Sequence, residues 1–275
     1  MAVTNSTDLQ AVIEKRVSGI VTETLIQEAV SLGVVKQYPV EGGMDRLDIP
    51  LFNTMTVASV TEGSALTPET IAVNSAQLDL NRQRAVAWAI SKRAEVQQKV
   101  NSVTQAIKNG SRELAAEIDD YLFGLMVAGT GSTEGLAVDY AGDTLAAIAG
   151  QKKLMDEANV SKFDRFIIAS PAFVQALLGE SSVINVDKYG SESPIMAGFV
   201  SKVFGFTMVE SSSSAIPAGG FIACHRDATA FARQINPMLL REENALAIQD
   251  EYSLSHLYGG ILTDSGSARI TVVTA

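Results

Sequence analysis

Residues 77–90 read QLDLNRQRAVAWAI, and their side chains alternate. Leu78, Leu80, Val86, Trp88 and Ile90 share one face, with Arg82 and Arg84 in its middle. Asp79, Asn81 and Gln83, followed by Ala85, Ala87 and Ala89, take the other. A period of two is that of a strand. At about 3.3 Å per residue, this strand reaches roughly 45 Å. Upstream, NTMTVASV (53–60) also favours strand, and TEGSALTPET (61–70) supplies the polar, turn-rich link between the two. A lone two-stranded hairpin is marginal in water. A ribbon of this length therefore needs a surface to lie on, and the economical one is a neighbouring subunit. The stretch points to assembly before it points to chemistry.

The bulk composition agrees with a folded, core-forming chain. Of 275 residues, 47% are apolar and 19% charged, which excludes a disordered polypeptide. The opening MAVTNSTDLQ lacks the basic start and apolar block of a signal peptide. Apolar runs such as LFGLMVA (122–128) are too short to span a bilayer, so no membrane role is expected. The single cysteine, Cys224, allows no internal disulfide and suits folding in a cytoplasm. The net charge of −10 argues against a dedicated nucleic-acid binder. The basic pairs Lys15–Arg16, Lys92–Arg93 and Lys152–Lys153 are scattered and read as solvated charges. An acidic balance still suits a container for DNA, because a strongly basic lining would grip the polymer.

Outward from the ribbon, residues 8–32 read as an amphipathic helix with Gly33 as its C-terminal cap. Residues 34–52 read as an extended connector. Val96, Val100, Val103 and Ile107, then Leu114, Ile118, Leu122 and Leu125, predict helix over 91–127, bent or interrupted at Gly110. AGTGSTEG (128–135) reads as a turn. A helix is predicted near 143–158, starting at Asp143, and a buried strand at RFIIA (165–169). Ser170 and Pro171 open another helix that Gly179 closes. A loop at 180–193, a helix from Ser193–Pro194 through Val203 and a strand at 206–210 follow. After Gly219–Gly220 the segments FIACH, TAFARQI, ALAIQ and RITVV read as strands. The order is helix, hairpin, long helix, mixed insert, strands: an α+β chain, with the long helix as a natural cover for the late strands.

Four features in this order resemble the major capsid proteins of tailed double-stranded-DNA bacteriophages, the Hong Kong 97 type of fold. They are the loop TVASVTEGSALTPET with AQLDLNRQRAVAWAIS; the helix ending in DDYLFGLMVAGTGSTEGL, with Gly129, Gly131, Gly135 and Leu136; RFIIASPAFVQAL with PIMAGFVSKVFGFTMVESS; and RDATAFARQI through ITVV. The resemblance covers the chain from about residue 34. It implies an N-terminal arm (1–50), an extended β-hairpin loop (51–90), a peripheral domain with a long spine helix (91–135 and 225–275) and an axial domain (136–224). It implies a virion protein, assembled in the host cytoplasm, that partners itself in pentamers and hexamers forming an icosahedral shell around genomic DNA. Packaged DNA would be contacted non-specifically. A portal and a possible cement protein would be further partners. Residues 51–91 contain no lysine, so a covalent cross-link from the loop is not expected. No long scaffolding region precedes the arm, and Met1–Ala2 reads as a natural start, so a separate scaffolding protein is expected.

Candidate contact residues sit on the ribbon. Arg82 and Arg84 either pair with a neighbour's carboxylates or stand solvated; Glu62 and Glu69 are candidate acids on the other side. Glu62, Thr67 and Pro68 mark a loop tip that seats on the next subunit or is disordered when free. No cofactor or catalytic site is expected. Cys224, His225 and Asp227 lie close in sequence, but Cys224 and His225 on a strand face opposite ways. No HExxH, CxxC or EF-hand spacing occurs. The adjacent pair Asp119–Asp120 diverges on a helix. GTGSTEG has the wrong spacing for a phosphate loop and follows a helix. Two other readings stay open: an encapsulin-like compartment of the same fold, and a soluble α/β enzyme built around 136–224.

Overall fold

The stripe of Val103, Ile107, Leu114, Ile118 and Leu122 forms one unbroken helix of 27 residues, Ser102–Ala128, in the computed structural model of the chain. The structure describes residues 29–40, 43–52, 55, 57, 59–60, 69–71, 73–97, 102–140, 142–180, 202–263 and 268–275. In chain order the elements are α1 (Ser31–Val34), β1 (Lys36–Tyr38), β2 (Arg46–Phe52), β3 (Val73–Asp79), β4 (Arg82–Ser91), α2 (Lys92–Gln97) and α3 (Ser102–Ala128). Then come β5 (Ser132–Gly135), α4 (Leu136–Asp139), α5 (Thr144–Glu157), β6 (Arg165–Ala169), α6 (Pro171–Gly179), β7 (Lys202–Val203) and β8 (Phe206–Glu210). The last are β9 (Phe221–His225), a 3₁₀ turn (Arg226–Ala228), β10 (Thr229–Asn244), β11 (Gln249–Leu262) and β12 (Ile270–Thr274).

Three sheets result. One has the order β1-β10-β11-β4, a second β5-β12-β9-β6-β8-β7, and β2 pairs with β3 alone. α3 lies across the first two. Its buried face (Leu114, Ile118, Leu122, Phe123 and Met126) shares one core with Phe231, Leu254 and Tyr258 of the four-stranded sheet and with Ile168, Ile222, Ile270 and Val272 of the six-stranded sheet. A second core holds α5 and α6 on the other face of the six-stranded sheet, through Ile148, Met155, Phe173 and Leu177 against Ile167, Phe221 and Val273. Gly110 sits inside α3 where β4 crosses it; an added Cβ would lie 3.4 Å from Trp88 Cζ3, an ordinary contact distance.

The alternation at 77–90 is real, but the single strand is not. The chain breaks at Leu80–Asn81, where Leu80 N donates to Asp45 O (2.9 Å). Residues 73–79 pair with 46–52, not with 53–60, and residues 82–91 pair with β11 of the same subunit. The ribbon is thus seated at its base. Ile49, Leu78 and Leu80 bury against Ala230 and Ala232, on the face of β10 opposite α3. Gly259 makes this possible: a Cβ there would lie 2.2 Å from the Asp79 carbonyl oxygen.

Other readings shift as well. The connector 34–52 contains β1 and β2, and the turn 128–135 yields β5, parallel to β12. The six-stranded sheet therefore draws β5 and β12 from outside 136–224. Lys202–Val203 is a strand, not a helix end, turning through Phe204 (φ 48°) and Gly205 (φ 89°) into β8. Helix 193–201 and helix 8–28 lie outside the described residues; Ser31–Val34 is helical, with Gly33 inside it. ALAIQ is not a strand: Asn244 Oδ1 accepts from Ala247 N (3.1 Å), an Asx turn that places Ile248 at φ 50°. β10 continues to Asn244 across register shifts between Arg233 and Ile235 and between Ile235 and Met238.

Adjacent carboxylates on α3 do diverge. Asp119 accepts from Val30 N (3.1 Å) and Ser31 N (2.9 Å), fixing the start of α1. Asp120 accepts from Ser213 Oγ and from Ser214 N (3.1 Å), fixing the serine tract. At the far end of the four-stranded sheet, buried Asp250 takes Lys92 at 2.8 Å and Arg241 at 2.6 Å, and their hydrogen bonds, Lys92 first, hold its carboxyl below the usual range.

His256 is buried on the helix-facing side of β11 with neither ring nitrogen partnered. Arg84 stands opposite it in register, Tyr258 lies edge-on at 4.7 Å, and Glu117 of α3 and Arg233 of β10 contribute the remaining charge. Burial pushes its pKa down to about 4.

Gly259→Ala, opposed by backbone, should cost about 2 kcal/mol in a denaturant titration. Gly110→Ala meets only ordinary contacts, so it should hold or raise stability by up to about 1 kcal/mol. For His256, the folded state binds fewer protons than the unfolded one between about 6.5 and about 4. Stability should therefore drain away as pH falls through that window. His256→Phe should flatten that dependence relative to the wild type; parallel curves would show that His256 does not contribute.

Candidate intersubunit surfaces

Beyond its seated base the ribbon carries apolar side chains with nothing over them. Phe52 is 69% exposed, Met55 65% and Val57 fully exposed, and Val60, Ile71 and Val73 are more than half exposed. Single exposed apolar residues are ordinary, whereas six among the described residues of 52–73 mark a contact surface. This signal was partly legible in TMTVASV, although the alternation at 77–90 drew the weight. A second exposed group lies at the far end of β10 and its turn: Met238, Leu240, Leu246 and Ile248.

Of the six candidate contact residues, Glu62, Thr67 and Pro68 lie outside the described residues. Glu69 is exposed on the returning limb. Arg82 and Arg84 are brought together on β4, but facing their own α3. The Arg82 guanidinium sits 4.0 Å from the Tyr121 ring centroid, a cation–π geometry. Arg84 Nε donates to Glu117 Oε1 at 2.7 Å, and the same carboxylate accepts from the Tyr258 hydroxyl through Oε2. Glu117 raises the Arg84 pKa, while burial, then Glu117, raises that of Tyr258. Sequence reasoning missed Glu117: with Glu113 and Tyr121 one helical turn to either side, nothing local marks it as the partner of Arg84. Arg84 remains about half exposed in this pair, so the arrangement leaves its outer edge open.

The residues weighed for chemistry do not converge. Cys224 is buried in the core shared with α3, and burial pushes its thiol up to about 12, far from a reactive thiolate. His225 Nδ1 accepts from Asp227 N and so caps the 3₁₀ turn. Among the described residues no group of three His, Cys, Asp or Glu side chains is placed to hold a metal ion. Nor is any helix among them long and apolar enough to cross a membrane.

No protein-family model and no curated protein matches the sequence. Solved structures do. A structure from Mycobacterium phage Che8 superposes with a TM-score of 0.68 at 20% identity, covering 84% of each chain. The capsid structure of the cyanophage P-SCSP1u gives 0.70 at 15% identity, covering 88% of this chain and 86% of that one. The asymmetric unit of the bacteriophage PhiM1 mature capsid gives 0.68 at 14% identity, covering 88% and 85%. The overlap takes in nearly the whole of each chain, and the fold described above is the fold found in these phage capsid structures.

Proposed function

We infer that this chain is the major capsid protein of a tailed phage, a structural subunit without catalytic activity. The observation that carries the reading is the ribbon: a β-hairpin seated at its base by Gly259 whose outer part exposes Phe52, Met55, Val57, Val60, Ile71 and Val73. The shared fold with phage capsid structures supports it. In this reading the mechanism is geometric. The ribbon overlaps a neighbouring copy, with Glu62, Thr67, Pro68 and Glu69 near its tip and the open edge of Arg82 and Arg84 at its root. Residues 136–224 form the axial domain and meet their symmetry mates around a pentamer or hexamer axis. Residues 1–50 act as the arm, and 91–135 with 225–275 as the peripheral domain. The closed icosahedral shell holds phage DNA, is built in the host cytoplasm and becomes part of the virion. A separate scaffolding protein, a portal and a cement protein are the further partners of such a shell.

Replacing residues 55–71 by a two-residue turn leaves β2 and β3 paired. The variant is expected to fold with the wild-type circular dichroism spectrum and melting profile but to yield no stable shells by negative-stain electron microscopy. Wild-type shells alongside an equally well-assembled variant would remove the ribbon from the mechanism. Shells that carry a protein cargo in place of DNA would assign the chain to a nanocompartment.

A further inference from the structure

Among the described residues Arg233 has no counter-charge. It stands on β10 opposite Tyr258, with its guanidinium carbon 5.8 Å from the Phe231 ring centroid on the helix-facing side. Its Nε is buried with no hydrogen-bond partner. The neighbouring polar group on this face, His256, is buried and equally unpartnered. Glu117, the acid that α3 brings to this layer, is already held by Arg84 and Tyr258. Arg233 is partly buried; leaving its buried Nε–H unpaired is unfavourable, and burial pulls its pKa down. A partner is therefore needed from outside the described fold.

The sheet edge shows where such a partner would enter. β1 pairs with β10 at Ala230, Phe231 and Ala232 and then stops. From Arg233 onward the outer side of β10 has no partner strand among the described residues, and the register of β10 shifts between Arg233 and Ile235. Arg233 thus lies where the strand pairing of this edge ends; the next residue, Gln234, donates from Nε2 to Met44 O at 2.6 Å. The chain carries a net charge of −10, so a second copy approaching this edge brings carboxylates in excess.

We propose that Arg233 is the receptor for a carboxylate of a second copy of this chain. The contact rests on the shell reading above. Nε and one terminal nitrogen of a guanidinium match the two oxygens of a carboxylate, so a side-on pair answers the unpartnered Nε, beside Phe231 and Tyr258. Association then relieves a cost that the free subunit carries.

The signature is a pair of effects with opposite signs. The free Arg233→Met subunit is expected to melt at or above the wild-type temperature, because the unpaired cation is gone. Its shells are expected to dissociate roughly tenfold faster or more in dilute guanidinium, followed by light scattering. Arg233→Lys keeps the charge without the fork and should fall between. Arg233→Met shells as durable as wild type would overturn the proposal, as would an Arg233→Met subunit that melts lower. If the wild-type chain forms no shells by electron microscopy, the shell reading falls and this contact with it. Wild-type shells with an indifferent variant sink the contact alone.

Discussion

One helix serves two sheets, and the rest of the structure depends on that sharing. Leu114, Ile118, Leu122, Phe123 and Met126 of α3 contribute to a single core that contains strands from both. A helix of 27 residues is about 40 Å long, enough to cross one sheet and continue over the next. Close-packed interiors resist sliding, so the two sheets hold fixed positions relative to each other through this one element. Whatever is attached to either sheet, the ribbon included, inherits that frame.

Close approach is arranged by removing side chains rather than by adding contacts. Gly259 admits the ribbon base, and Gly260 clears room for Leu122 and Tyr121. Each lies where two layers meet. The polar residues within the layers are mostly committed in the same way: Asp250 between Lys92 and Arg241, Glu117 between Arg84 and Tyr258. Against that background, Arg233 Nε and both ring nitrogens of His256 stay without a hydrogen-bond partner among the described residues.

The sequence revealed local period well and partnership poorly. The helix starts at Asp143 and Ser170 were legible because a capping oxygen acts within three residues: Asp143 accepts from Ala146 N, and Ser170 from Phe173 N. The alternation at 77–90 was equally local, yet the break at Leu80–Asn81 was not, because it is set by which strands lie beside each half. β11 was missed because its buried face includes Asp250 and His256, polar residues that disguise a period of two. The outward ribbon was anticipated in its existence but not in its boundaries. Arg82 and Arg84 were placed correctly on one face, while Glu117, the residue that engages Arg84, lies 33 positions away and leaves no mark at short range.

Asp119 and Asp120 have a mechanical consequence. Successive residues of one helical turn hold two distant stretches of chain, residues 30–31 on one side and 213–214 on the other. The root of the N-terminal segment and the serine tract are thus bolted to the same point of the same rod. A tilt of the rod displaces both together and without slack. Any motion that rocks α3 reaches both attachments at once, so the spacing between residues 30–31 and 213–214 is kept while their shared orientation follows the helix.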